Sequence, residues 1–166
     1  YWKLTPVALS PEGTQVAFGG TNLQLRIVDL ANGAERVLDP DLWGIHQLGF
    51  SPDGRLLAAT GRDHRLRIWR SSDLREAATL KGWRQGAHAF EFHPRGWRLA
   101  VGMGEGGIQW IDLATAQEVS HFPTAQSPRH LVFSADGNTL AVRFGGGFRF
   151  WHAPSLEQIH ATPPPH

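Results

Sequence analysis

The stretch FSPDGRLLAATGRDHRLRIW, which runs from Phe50 to Trp69, decides the fold. Its Ser-Pro-Asp-Gly segment is typical of a reverse turn, because serine suits the first position, proline presets φ at the second and glycine accepts the positive φ that closes a hairpin. A short apolar segment, a polar turn and the alternating segment RLRIW follow. Alternation of apolar and polar side chains is typical of a two-faced β-strand. The stretch therefore predicts a tight turn followed by two β-strands.

The same pattern occurs four times in the chain. The segments LSPEG, FSPDG, FHPRG and FSADG end at Gly13, Gly54, Gly96 and Gly137, which are separated by 41, 42 and 41 residues. Alanine recurs four residues after each glycine, and a further polar turn and strand-like segment complete each copy. Helix-period patterns are absent from the sequence. Four strands in a unit of about 41 residues is the spacing of a β-propeller blade.

The bulk composition excludes several classes of protein. The chain has 166 residues, of which 41% are apolar and 19% charged, as in ordinary globular domains. The formal net charge of +1 favours neither nucleic acid nor an anionic membrane as a partner. The sequence has no cysteine, which excludes disulfides and thiolate metal sites, and no apolar run approaches the roughly 20 residues that span a bilayer. We expect a cytoplasmic protein with no nucleic-acid or membrane partner.

The four copies resemble the blades of WD-repeat (WD40) β-propellers. The resemblance rests on FSPDGRLLA and the strand ending RLRIWR, and on VDL at Val28–Leu30 and IDL at Ile111–Leu113. It covers the chain from about Val7 to His160. It implies an all-β fold of four-stranded antiparallel blades, four in this chain and about seven or eight in a whole ring. We expect blades at about 7–38, 48–80, 90–122 and 131–161, and a flexible proline-rich tail at 162–166.

The copies also depart from the family pattern. The Gly-His dipeptide is missing from every copy, with Gly82-Trp83 in its place in the third, and the Trp-Asp dipeptide is never complete. The resemblance implies that an aspartate between the second and third strands joins a buried hydrogen-bond network with that histidine. Asp63 alone matches this aspartate, and the equivalent positions hold Asn22, Glu105 and Gly145. We expect this network to be mostly absent.

No motif in the sequence indicates a catalytic, metal-binding or cofactor-binding site. GMGEGG at Gly102–Gly107 has the spacing of a dinucleotide-binding loop, but the strand-like IQWIDL follows it where a helix is needed, so we interpret it as a hairpin turn. The nine histidines form no compact ligand motif, and neither a nucleophile elbow nor paired carboxylates are found. We therefore expect no catalytic residue, no metal, no cofactor and no enzyme activity.

Six of the seven tryptophans divide into two groups. Trp69, Trp110 and Trp151 lie in third strands, where we expect them to pack between blades as structural residues. We also expect structural roles for Asp63 and the four turn glycines. A second group precedes first strands, where the chain crosses one face of the propeller. Its members either pack within loops or serve as aromatic anchors for a partner, since tryptophan and arginine dominate interface hot spots. These residues are Trp2, Trp43 and Trp83.

Basic side chains are expected on the same face as this second group. His46, His88 and Arg129 each stand four residues before the apolar residue that precedes a turn, at the start of an innermost strand. Loops on that face add further basic residues: Arg62, His64, Arg65 and Arg84. We expect these side chains to surround the mouth of the central channel of the propeller. A basic channel mouth suits a peptide with acidic groups, and the alternative is a solvated loop face. The candidate partner-binding residues are Trp43, His46, Arg62, Trp83, Arg84, His88 and Arg129.

Two classes of function remain open from the sequence. The first is a non-catalytic scaffold whose propeller face binds a protein or peptide. The second is a ligand-binding or enzyme-associated propeller with a site in the central channel, because the first repeat also resembles propellers of periplasmic transport proteins and peptidase-associated domains.

The blade count predicts an incomplete ring. We expect a fragment of a larger protein whose four blades pair with the rest of a larger propeller or form a homodimer. The spare strand at Leu156–Ala161 would then complete the partner's first blade. Arginine outnumbers lysine 14 to 2, which suggests a bacterial source with GC-rich codons.

Overall fold

The computed structural model describes residues 6–19, 24–38 and 44–152, and in these ranges it contains fifteen β-strands and no helix. No segment of this described part forms a helix able to span a bilayer. The strands are β1 (Val7–Leu9), β2 (Gln15–Gly19), β3 (Leu25–Asp29), β4 (Glu35–Leu38), β5 (Ile45–Phe50), β6 (Leu56–Gly61), β7 (Leu66–Arg70), β8 (Glu76–Leu80), β9 (Ala87–Phe92), β10 (Arg98–Met103), β11 (Ile108–Asp112), β12 (Gln117–Phe122), β13 (His130–Phe133), β14 (Thr139–Phe144) and β15 (Gly147–His152).

The strands form four separate antiparallel sheets in chain order. β1 to β4, β5 to β8 and β9 to β12 each form a four-stranded meander, and β13 to β15 form a three-stranded one. The innermost strands are neighbours, since β1 contacts β5, β5 contacts β9 and β9 contacts β13. The predicted all-β architecture of propeller blades is confirmed. The predicted fourth strand of the last blade lies outside the described residues.

The tight turns form because a serine side chain replaces missing backbone partners. The Ser51 hydroxyl oxygen accepts a hydrogen bond from the Leu56 amide at 2.9 Å, and that of Ser134 does the same for Thr139 at 2.9 Å. The glycine that closes each turn has φ between +68° and +75°, a region that side chains with a Cβ rarely adopt. Every repeat therefore needs glycine at this position, which explains the regular spacing seen in the sequence.

The core consists of three junctions between successive blades. We call the sheet face that packs on the next blade the leading face, and the opposite one the trailing face. In the second junction, Leu66 and Ile68 on the leading face of blade 2 share a buried cluster with Leu99 and Val101 on the trailing face of blade 3. The first and third junctions repeat this arrangement. Because successive side chains of a strand point to opposite faces of the sheet, each strand supplies one set of residues to each neighbouring blade.

The recurring alanine and the third-strand tryptophans lie in these junctions. Ala58 is fully buried and shares the second cluster with Phe92 of the next blade, so a small side chain there admits a large ring opposite. Trp69 is buried in the first junction, and Trp110 and Trp151 pack, partly buried, against the third. The structure thus places all three tryptophans between blades.

Candidate functional site

Two β-bulges shape the end of the molecule where β5 and β9 begin. Ile45 pairs with Gly61 and Gln47 with Thr60, so His46 is the extra residue between them. In β9 the pairing steps from Ala87 opposite Met103 to Ala89 opposite Gly102, which leaves His88 as the extra residue. A bulge turns its unpaired residue away from the regular alternation of the strand. Both imidazoles are consequently exposed at one end of the blades. β5 and β9 begin at Ile45 and Ala87, earlier than the expected residues 48 and 90.

Several charged groups surround His46. Partial burial lowers the pKa of His46, and the nearby Arg62, His88 and His64 lower it further, while Asp63 has the opposite effect. These groups come from the start of β5, the turn between β6 and β7, and the start of β9. The structure therefore brings together four of the basic residues that the sequence placed near the channel mouth. We call His46, Arg62, His64 and His88 the histidine–arginine surface.

The turn that carries Arg62 and His64 is held by Asp63. The Asp63 carboxylate accepts a hydrogen bond from the Arg65 amide at 3.2 Å and lies 3.8 Å from the Arg65 guanidinium and 3.6 Å from that of Arg67. His64 has a positive φ of 63°, which closes the turn. Within the described residues, the carboxylate is therefore engaged by arginines of its own hairpin rather than by a histidine of a preceding loop.

The loop before β9 packs directly on this turn. A Cβ atom added to Gly86 would lie 3.2 Å from the His64 Cα, and Gly86 has a φ of +80°, so both space and backbone conformation favour glycine there. The loop after β12 adds Ser127, whose hydroxyl lies 2.9 Å from His88 Nδ1 and donates to the Met103 carbonyl at 3.3 Å. The Ser127 oxygen then accepts the Nδ1 hydrogen of His88, which leaves Nε2 as an acceptor in the neutral ring.

Gln47 fixes the spacing between the two bulges and was missed by sequence reasoning. Its side-chain nitrogen donates to the Phe90 carbonyl at 2.7 Å, and its side-chain oxygen accepts from the Phe90 amide at 3.0 Å. This pair of bonds joins β5 to β9 directly below His46 and His88. The equivalent residues in the other inner strands are different, so the repeat pattern contains no signal for this contact.

The expectation that Trp83 is an exposed anchor is wrong. Trp83 is only 8% exposed and belongs to the buried cluster between blades 2 and 3. Its indole N–H donates to the Gln109 side-chain oxygen at 2.6 Å, because the loop before β9 folds back over β11. Trp83 is thus a packing residue, and we remove it from the candidate surface. Trp2 and Trp43 lie outside the described residues.

Two further candidates lie at the same end but apart from His46. Arg84 and Arg129 are exposed, and the Arg129 guanidinium lies beside the turn at Gly145. Neither is among the charges that shift the pKa of His46. An acidic group is also present at this end, since the Glu105 carboxylate accepts a hydrogen bond from the Gln85 amide at 3.2 Å. The surface is therefore basic at its centre and mixed at its rim.

The remaining motifs form structural features in the described part of the chain. GMGEGG forms the end of β10 and its turn into the strand β11, and the Gly107 amide donates to the Thr124 hydroxyl at 2.7 Å. Among the residues with described positions, no three histidine, aspartate or glutamate side chains are grouped closely enough to hold a metal ion.

Comparisons with known proteins agree with this architecture. The family model described as "WD domain, G-beta repeat" matches residues 38–70. WD repeat-containing protein 90 of Xenopus tropicalis is 26% identical over 136 residues, which are 81% of this chain and 7% of that protein. WD repeat-containing protein SL1-17 of Schistosoma mansoni is 33% identical over 63 residues, 38% of this chain and 21% of that protein.

A third relative aligns with nearly the whole chain. Protein groucho of Drosophila melanogaster is 25% identical over 161 residues, 95% of this chain and 21% of that protein. The chain thus spans at most 21% of the length of these three relatives. All three are animal proteins, and nothing in the comparisons supports the bacterial source suggested by the arginine content. The four in-phase antiparallel blades, the match at residues 38–70 and these relatives together support the similarity of the chain to the WD-repeat (WD40) family of β-propeller proteins.

Proposed function

We propose that the chain is a non-catalytic interaction module and that its histidine–arginine surface binds an acidic segment of a partner protein. WD-repeat proteins generally act as scaffolds for protein interaction, and nothing in the comparisons points to an enzyme. The family therefore supports the broad class of function. The choice of this surface and of an acidic partner is our proposal, and it rests on the geometry of the surface.

The observation that carries the proposal is the convergence of one arginine and three histidines. His46, Arg62, His64 and His88 come from two adjacent blades and are close enough to influence the pKa of His46. Asp63, the carboxylate that acts on the pKa of His46, also lies within 4 Å of two arginines of its own hairpin. A partner carboxylate would supply the missing negative charge, and arginine can bind it through two parallel hydrogen bonds.

The rigidity of the supporting contacts favours binding over a freely solvated face. Gln47 joins β5 to β9 and so fixes the spacing of the backbone that carries His46 and His88, and Ser127 holds the His88 imidazole before a partner arrives. Preorganised side chains lose less conformational entropy on binding. A carboxylate placed beside His46 would also raise the pKa of that imidazole, because a negative charge favours the protonated form.

The alternative, a ligand site in the central channel, has one candidate residue on an innermost strand. Glu91 on β9 is more than half buried, and burial raises its pKa to about 7. A carboxyl group that titrates near neutrality is a candidate acid or base. Catalysis or ligand binding needs a second polar group within reach, and the described residues place no hydrogen-bond or ion-pair partner on Glu91. We therefore favour the interaction surface.

A direct binding measurement tests the proposal. We expect a fluorescein-labelled peptide of alternating glutamate and glycine to raise its anisotropy on binding, and this binding to weaken with salt, because exposed charges are screened. Arg62→Ala and His88→Ala should each weaken binding about five-fold, since an exposed charge pair contributes about 1 kcal/mol. Binding should be tighter at pH 6 than at pH 8, because protonated histidines add positive charge.

The matched controls use a second peptide and a second arginine. A peptide with glutamine in place of glutamate should bind much more weakly. Arg55, whose side chain is 85% exposed in a turn at the opposite end of blade 2, provides the control variant Arg55→Ala, which should bind like wild type. Equal binding of both peptides, or an equal loss in the Arg55 variant, would contradict the proposal.

A further inference from the structure

The leading face of the fourth blade is apolar and uncovered. Phe148 and Phe150 on β15 are 67% and 70% exposed. Ile108 of blade 3 occupies the position equivalent to Phe148 and is 1% exposed, and Ile68 of blade 2 occupies the position equivalent to Phe150 and is 2% exposed. Those residues are buried because the next blade packs on them. In the described part of the chain, nothing packs on the leading face of blade 4.

The trailing face of the first blade is also apolar and uncovered. Val7 and Leu9 on β1 are 64% and 59% exposed. The residues equivalent to them in blade 3, Phe90 and Phe92, are 1% and 6% exposed, because blade 2 covers them. Val37 on β4 is also half exposed on this face. The large apolar side chains exposed in the described ranges are therefore concentrated at the two ends of the blade series. Six of the ten lie there: Val7, Leu9, Val37, Val132, Phe148 and Phe150.

One end face is a leading face and the other is a trailing face, and faces of these two types pack together three times within the chain. Each internal junction joins a leading face to a trailing face, with third-strand residues of one blade against second-strand residues of the next. The small residue required at such a junction is present, since Ala141 on β14 matches the buried Ala17, Ala58 and Ala100. Ala141 is partly exposed where the other three are fully buried. The leading face of blade 4 is thus built as a junction that lacks its partner.

We propose that a second copy of this chain covers both end faces, so that blade 4 of each copy packs on blade 1 of the other. The chain does not close on itself, because a four-bladed ring would bury Val7 and Phe148 against each other, and both are more than 60% exposed. Two copies contribute eight blades, which is within the range of about 4–8 found in propellers. Head-to-tail contacts close into a ring when the rotation between copies allows it. This assembly is independent of the proposed peptide-binding surface.

The test measures molar mass by light scattering after size exclusion. We expect wild type at twice the chain mass of 18.4 kDa. Phe148→Glu and Leu9→Glu should each give the single-chain mass, because a buried carboxylate at either junction opposes packing. Val119→Glu is the matched control, since Val119 is also exposed but lies on β12, the outer strand of the internal blade 3, and it should remain dimeric.

A mixture of the two variants distinguishes this arrangement from general apolar association. The Phe148 variant keeps an intact blade 1, and the Leu9 variant keeps an intact blade 4, so the mixture should form a heterodimer through one junction. Restored association also shows that both variants are folded. A wild-type monomer would overturn the proposal, as would a dimer lost only in the Phe148 variant, which would mean that two fourth blades pack together. A continuous series of larger species would overturn the closed ring.

Discussion

His93 occupies the turn position that serine holds in the other three repeats, and it performs the same task with an imidazole. Its Nδ1 accepts hydrogen bonds from the Arg95 amide at 3.2 Å and the Trp97 indole at 3.1 Å, so Nε2 carries the hydrogen that it donates to the Gly137 carbonyl at 3.2 Å. The ring is buried and stands edge-on to Phe133 of the next blade. A single residue thus links the third turn to the fourth through Nε2, and its Nδ1 accepts the two bonds within the third turn only while it is unprotonated.

The pH dependence of stability follows from this arrangement. Burial is the main cause that lowers the pKa of His93 below its usual 6.5, so the unfolded chain takes up a proton first as the pH falls. The contribution of His93 to stability should therefore decrease as the pH falls below about 6.5 and should stop decreasing below the pKa of the folded state. Urea unfolding of wild type and His93→Ser at pH 8 and pH 5.5 checks this, and the variant should lose less stability between the two.

The comparison between variants is needed because Glu91 acts in the opposite direction. Its pKa is raised from 4.5 to about 7, so protonation of Glu91 stabilises the folded chain as the pH falls through this range. Both proteins contain Glu91, so its contribution cancels in the difference between them. The same pH dependence in wild type and His93→Ser would contradict the assigned role of His93.

At the scale of strands and loops, the sequence predicts what repeats and misses what does not. Blade architecture follows from turn chemistry and alternation, which are local and occur four times. The bulges at His46 and His88 depend on how β5 and β9 pair with their neighbours, and the residue types at these positions do not predict a bulge. Spacing alone still placed both histidines at one end of the blades. Burial of Trp83 depends on a loop folding onto Gln109 of another strand, which a single sequence does not reveal.

The burial of Trp83 gives a prediction for the loop before β9. We expect Trp83→Ala to lower the free energy of unfolding by about 3–5 kcal/mol, as is usual when a large buried aromatic side chain is removed. Trp83→Phe keeps most of the packing and loses the bond to Gln109, so it should cost about 1 kcal/mol. Urea unfolding measures both. If Trp83→Ala unfolded like wild type and lost peptide binding instead, the residue would be an exposed anchor after all.

At the scale of the whole molecule, the four blades present two different kinds of surface. The end faces are apolar and repeat a contact that the chain makes internally, whereas the histidine–arginine surface is polar and occurs once. A propeller that leaves a blade face uncovered exposes large apolar area to water, which marks an interaction site or an aggregation hazard. Assembly and partner binding thus involve separate parts of the molecule and can be tested separately.

The most direct test of the interaction surface follows the histidine ring protons by NMR during titration with the glutamate–glycine peptide. Single histidine-to-glutamine variants assign the signals. We predict that the signals of His46, His64 and His88 shift, whereas those of His93, between the turns, and His152, which is bonded to Thr139 at the opposite end, stay in place. Shifts at His152 with none at His46, His64 and His88 would contradict the assignment of the binding surface.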